Sequence, residues 1–167
     1  EVPLPHGRTA TIIRAMNVLR QYREDEVPAA WSRLTARLSP GGILLDGTSN
    51  EIGRIASWVA LGVDGPSSFT ISLRLRGLER PGIVEERLPK ALIHRNIPGE
   101  PIHALLTDLD RYWAHAAGYG EFGDVQRWLS TVERLSGAGW PVLDGPRRWR
   151  LGELTLPWSA VAPGSAS

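Results

Sequence analysis

The stretch Arg87-Leu88-Pro89-Lys90-Ala91-Leu92-Ile93-His94-Arg95-Asn96 is the richest in groups that can do chemistry. An imidazole takes up and releases a proton near neutral pH, so His94 is a candidate general base. Arg87 and Arg95 carry planar guanidinium forks suited to holding a carboxylate or phosphate. Irregular segments of this kind often carry function. A plainer reading stands beside it: a solvated basic loop balanced by Glu85, Glu86 and Glu100.

Glu51 and Arg54 are the second candidate pair. They fall three residues apart at the start of an expected helix, where most such pairs are surface ion pairs of small effect. At the carboxyl end of a strand they would instead face a ligand, with Glu51 as a base and Arg54 as a substrate contact.

Other chemistries find no support. The four histidines lack metal-ligand spacing and no carboxylate cluster joins them, so no metal site is expected. Cysteine is absent, which excludes disulfides and thiolate catalysis. Ser39 and Ser49 lack the glycine-flanked elbow of a serine nucleophile, and no phosphate-binding loop of the Walker type occurs. Arg147, Arg148 and Arg150 alternate with Trp149 in what reads as an exposed strand rather than a nucleic-acid patch. A net charge of +1 gives no general argument for nucleic acid or membrane, and no apolar run approaches ~20 residues. The seven tryptophans fall mostly on expected buried faces, although Trp140 and Trp158 could border a pocket. With no signal peptide in view, the cytoplasm is the expected location.

The elements that must position these groups follow from periodicity. At 167 residues the chain is expected to be one domain with a substantial core. Thr9 to Asn17 reads as a strand. A helix follows from Asp25 to Leu38, with Val27, Ala30, Trp31, Leu34 and Leu38 on one face and Pro28 in its first turn. Pro40-Gly41-Gly42 stops that helix, and Ile43 to Asp46 is a short strand apolar on both faces, as in a central parallel strand. A helix is expected over Glu51 to Leu61. Phe69 to Leu75 alternates apolar and polar residues, which predicts an antiparallel strand near an edge. Glu85 to Ile93 contains helical turns interrupted by Pro89. Helices are predicted from Pro101 to Ala116 and from Asp124 to Ser136. Trp140 to Leu143 and Arg147 to Leu151 look like a hairpin around Asp144-Gly145. The apolar parity flips at Gly152, which predicts a bulge or bend.

Arg14-Ala15-Met16-Asn17-Val18-Leu19, the helix after it, and Leu38-Ser39-Pro40-Gly41-Gly42-Ile43-Leu44-Leu45 together resemble a known arrangement. It is the fourth and fifth strand region of class I S-adenosylmethionine-dependent methyltransferases, with local similarity to the chemoreceptor methyltransferases. The similarity covers Ile12 to Leu61. The resemblance implies that Ala15, Met16 and Asn17 border the methyl donor. It also implies that Asn50 and Glu51 stand at the mouth of the next strand, so Asn50 joins Arg54, Arg87 and Arg95 as a substrate contact. The chain departs from the family in two respects. Gln21 stands where chemoreceptor methyltransferases place a tyrosine. The glycine-rich donor turn and the ribose-binding acidic residue are absent, and with them the amides and carboxylate that grip the donor.

The expected architecture is therefore α/β: a partial Rossmann-like methyltransferase sheet of parallel strands with an antiparallel closing pair and a helical insertion. Residues 1–76 would be the C-terminal part of the core, 77–139 a helical insertion on the substrate side, 140–161 a closing hairpin and strand, and 162–167 a tail. The expected activity is methyl transfer from S-adenosyl-L-methionine to an oxygen or nitrogen of a small molecule or protein side chain. The missing N-terminal half, or a second copy, would complete the exposed strand edge. The alternative is a non-catalytic interaction domain on a degenerate scaffold.

Overall fold

The computed structural model describes residues 7–164. Most of the N-terminal loop expected over 1–8, and residues 165–167 of the expected tail, lie outside the described residues.

Five strands form one open mixed sheet in chain order: β1 (Ala10–Met16), β2 (Leu38–Ser49), β3 (Ile55–Gly62), β4 (Gly65–Leu73) and β5 (Glu153–Pro157). β1 runs parallel to β2, and every later pairing is antiparallel. The one parallel pair requires a crossover, which α1 (Val27–Thr35) provides. Pro28 lies in the first turn of α1, where its missing N–H costs nothing, and Val27, Ala30 and Trp31 are buried.

Leu44, Asp46 and Thr48 of β2 share a face with Val59 and Leu61 of β3 and with Phe69 and Ile71 of β4. The helical layer covers this face. It contains a 3-10 segment at Pro81–Arg87, the short α2 (Lys90–Ile93), and the packed pair α3 (Pro101–His115) and α4 (Asp124–Gly137). Leu88, Leu92, Ile102, Leu105, Leu109, Trp128 and Val132 are all fully buried in it. The opposite face is more open. Ile12 is 64% exposed there, and Met16, Ile43, Leu45 and Trp58 are half-buried.

Several expectations are corrected. Glu51 to Leu61 is no helix: residues 50–54 close a hairpin and β3 follows. Ile55, Ser57, Val59 and Leu61 on one face and Ala56, Trp58 and Ala60 on the other satisfy a period of two as well as they satisfy a helix. Pro40 and Gly41 do not end a helix; α1 stops at Thr35, and both residues lie inside the long β2, where the β1 register shifts between Ala10 and Ile12. The expected hairpin over Trp140 to Leu151 is also absent. Pro146 instead starts a helical turn, α5 (Pro146–Trp149), and Asp144 accepts the Trp149 indole N–H at 2.9 Å. The change of parity at Gly152 is a bend. Gly152 has φ 82° and its carbonyl accepts the Leu73 N–H at 2.9 Å, so the chain reverses there and enters β5. β4 is an interior strand, one place in from the edge strand β5.

Candidate functional site

The carboxyl ends of β1 and β2 lie side by side, and Asn17 fastens them. Among the described residues it is the one non-glycine with positive φ, at 60°, a conformation that asparagine tolerates better than most side chains. Its backbone N–H extends the ladder to the Gly47 carbonyl at 2.7 Å. Its side-chain oxygen accepts the Ser49 N–H at 3.0 Å, and its amide nitrogen lies 3.4 Å from the Ser49 hydroxyl. Met16, the preceding residue, lies against Gly47 on the open face. A Cβ at Gly47 would come within 2.9 Å of the Met16 sulfur and 2.6 Å of the Trp58 Cβ, so only glycine fits there. Ala15 points the other way, into the core.

Asn50 is a turn residue. Its side-chain oxygen accepts the backbone N–H groups of Arg54 (2.8 Å) and Ile55 (3.3 Å), which closes the β2–β3 hairpin. Glu51 and Arg54 stand exposed on that hairpin rather than on a helix, and they form no ion pair with one another.

The segment holding the other candidates crosses the helix-covered face above β2 and β3. The Ser57 hydroxyl donates to the Arg87 carbonyl at 2.6 Å, and the Thr48 hydroxyl donates to the Leu88 carbonyl at 3.4 Å. These two bonds and the burial of Leu88 and Leu92 fix the backbone from which Arg87, Lys90, His94 and Arg95 project. His94 is exposed, and its Nε2 lies 3.1 Å from the Lys90 ammonium, one helical turn back. Arg95 bonds Glu24 at 2.6 Å and lies 3.5 Å from Glu100, so the segment is tied to the loop after β1. The Glu24 hydrogen bond holds the Arg95 guanidinium more firmly in its charged form. Arg87 has no such partner, and its Nε is shut away from solvent without an acceptor. His94, Arg95 and Arg87 thus share one segment, whereas Glu51, Asn50 and Arg54 share the hairpin.

Beside the Arg95–Glu24 pair opens a cleft of about 610 Å³, lined by Val27, Trp31, Ala91, Arg95 and Trp158 among others. Trp31 and Trp158 meet edge to face, with ring centroids 5.9 Å apart. Behind Trp31 lies a group the sequence reading passed over. Asp46 is 2% exposed, and its Oδ2 accepts the Trp31 indole N–H at 2.8 Å. Burial pushes its carboxyl up from 3.8 to about 6, with the Trp31 bond pulling the other way. The available signal was a carboxylate in phase with Leu44 and Thr48 directly after the apolar run Ile43-Leu44-Leu45. Trp158, expected as a pocket-bordering residue, does line this cleft.

The loop from Asn17 to Glu26 contains no glycine, and its Glu24 is already engaged by Arg95. Among the described residues no group of histidine and carboxylate side chains is placed to hold a metal ion, and no helix is long and apolar enough to cross a membrane. A scan against protein-family models, a search of curated proteins and a search of solved structures each found no match.

Proposed function

We propose that this chain supplies the acceptor side of an S-adenosyl-L-methionine-dependent methyl transfer. The acceptor is an oxygen or nitrogen of a small molecule or a protein side chain. The donor's cradle comes from polypeptide that adds to the free edge of β1, either further residues of the same protein or a second copy. One observation carries this reading. The parallel β1–α1–β2 unit ends in two adjacent strand mouths clamped by Asn17, and among the described residues β1 has β2 as its single neighbour in the sheet. Ligands of parallel α/β units sit beyond such strand ends, and an unpaired edge is a template for another strand. Asn17 and Met16 then lie nearest the donor, and Glu51 or His94 is the base. Equilibrium dialysis of the isolated chain against labelled S-adenosylmethionine tests the division of labour. Micromolar retention by this chain as a monomer would contradict it.

A second reading, a non-catalytic interaction domain, is favoured by a different observation. Asn17, Asn50, Arg95 and His94 each already have a partner inside the chain. On that reading the β1 edge and the open face around Ile12 bind a protein partner. A complex that survives without any donor binding, and that Ile12→Asp abolishes, would select it.

A further inference from the structure

We propose that Arg87, supported by Lys90, is a binding site for the carboxylate or phosphate group of a small anionic ligand. This inference stands whether or not the chain takes part in methyl transfer.

The arginines of this region are paired unequally. Arg80 bonds both Asp110 and Glu85, and Arg95 is bracketed by Glu24 and Glu100. Arg87 lies between them in sequence and has no hydrogen bond or ion pair to any carboxylate among the described residues. Glu85, two residues before it, is occupied by Arg80. Glu86 is exposed and forms no ion pair with it. Lys90 repeats the pattern one turn on. Its ammonium has His94 Nε2 at 3.1 Å as its partner, a group that brings no negative charge. Two cations in four residues therefore go without a counter-charge.

Arg87 is also held in place. Its carbonyl is pinned by the Ser57 hydroxyl, and Leu88 and Pro89 after it are buried. Of its guanidinium nitrogens only Nε is closed off, and that atom has no acceptor. The stem is therefore packed away while the terminal nitrogens reach outward. A long side chain normally loses rotamer freedom when it grips a ligand, and here packing has already taken much of it. What remains is an end-on fork of N–H donors, which matches two oxygens of one carboxylate or phosphate. Positive charge, missing counter-ion and bidentate geometry select an anion over a neutral acceptor.

The site's position fits a ligand as well. Ser57 and Thr48 mark the carboxyl end of β2 and the start of β3, so Arg87 stands over the strand end where α/β sheets receive ligands.

The closed-off Nε–H should exchange slowly and give a resolved side-chain resonance, identified by its loss in Arg87→Lys. Sodium phosphate and sodium succinate are titrated in turn at constant ionic strength. The expected result is a saturable shift of that resonance with at least one anion. Calorimetry should show at least fivefold weaker binding in Arg87→Lys and at least threefold weaker binding in the surface variant Lys90→Ala. A response to phosphate alone assigns a phosphate ligand, and a response to succinate alone assigns a carboxylate. Absence of a saturable shift with either anion overturns the proposal. So does binding that both variants leave unchanged.

Discussion

The indole N–H of Trp31 is bonded at 2.8 Å to the buried carboxyl of Asp46, joining α1 to the centre of the sheet. Asp46 pairs in register with Ala15 on one side and Val59 on the other, so no other polar side chain flanks it along the sheet. Its burial raises the carboxyl from 3.8 to about 6. The folded state therefore holds this proton more tightly than the unfolded chain does. The group's stabilising contribution is complete below the unfolded value of 3.8 and is lost as pH rises through about 6. That displacement corresponds to about 3 kcal/mol. Urea midpoints of the wild type, compared with Asp46→Asn between pH 4.5 and 7.5, should show a steeper decline in the wild type. Parallel pH profiles would refute the assignment.

Trp31→Phe keeps most of the ring and removes the donor. A buried carboxylate without its hydrogen bond costs roughly 1–3 kcal/mol. The loss should be larger at pH 7.5, where Asp46 is ionised, than at pH 4.5, where it is protonated. Denaturant unfolding at the two pH values checks this, and an equal loss at both would show that packing alone is responsible.

Gly152→Ala places a methyl group against the Leu73 carbonyl in a backbone conformation with φ 82°. The bend into β5 should lose about 1–3 kcal/mol. Gly118, which has open space around its Cβ position and no positive φ, is the control. Gly118→Ala should leave the thermal midpoint nearly unchanged while Gly152→Ala lowers it by several degrees.

Asn17 combines a left-handed backbone with two contacts to Ser49, and the two effects separate by substitution. Both Asn17→Ala and Asn17→Gly lose the contacts, but glycine accepts the conformation. Asn17→Gly should be the more stable variant by about 1–2 kcal/mol. Equal midpoints in urea would mean that the backbone relaxes away from this conformation.

The elements with one strong period were legible in the sequence. The stripe Ile102, Leu105, Leu106, Leu109, Trp113 gives α3, and Val132 and Leu135 with Trp128 give α4, because each buries a single face. β1, α1 and β2 were legible in kind, though β2 begins earlier than Pro40-Gly41-Gly42 suggested. Glu51 to Leu61 was misread for a physical reason. β3 carries apolar side chains on its open face as well as on its covered one, so its pattern also fits a helix, and Gly53 with Asn50 was the overlooked hairpin signal. Around Trp149, alternation suggested a strand, whereas Pro146 and Asp144 set a helical turn. Of the candidate site, the grouping of Arg87, His94 and Arg95 followed from contiguity. Their unequal partners did not, because Glu24 and Glu100 reach Arg95 only through the tertiary fold.

On the proposed function this chain carries the acceptor side of a donor-binding methyltransferase. Calorimetric titration of S-adenosylmethionine into the product of the complete reading frame tests it most directly. Micromolar binding is expected, weakened at least fivefold by Asn17→Ala in a protein that remains folded. A folded complete product that binds no S-adenosylmethionine would contradict it.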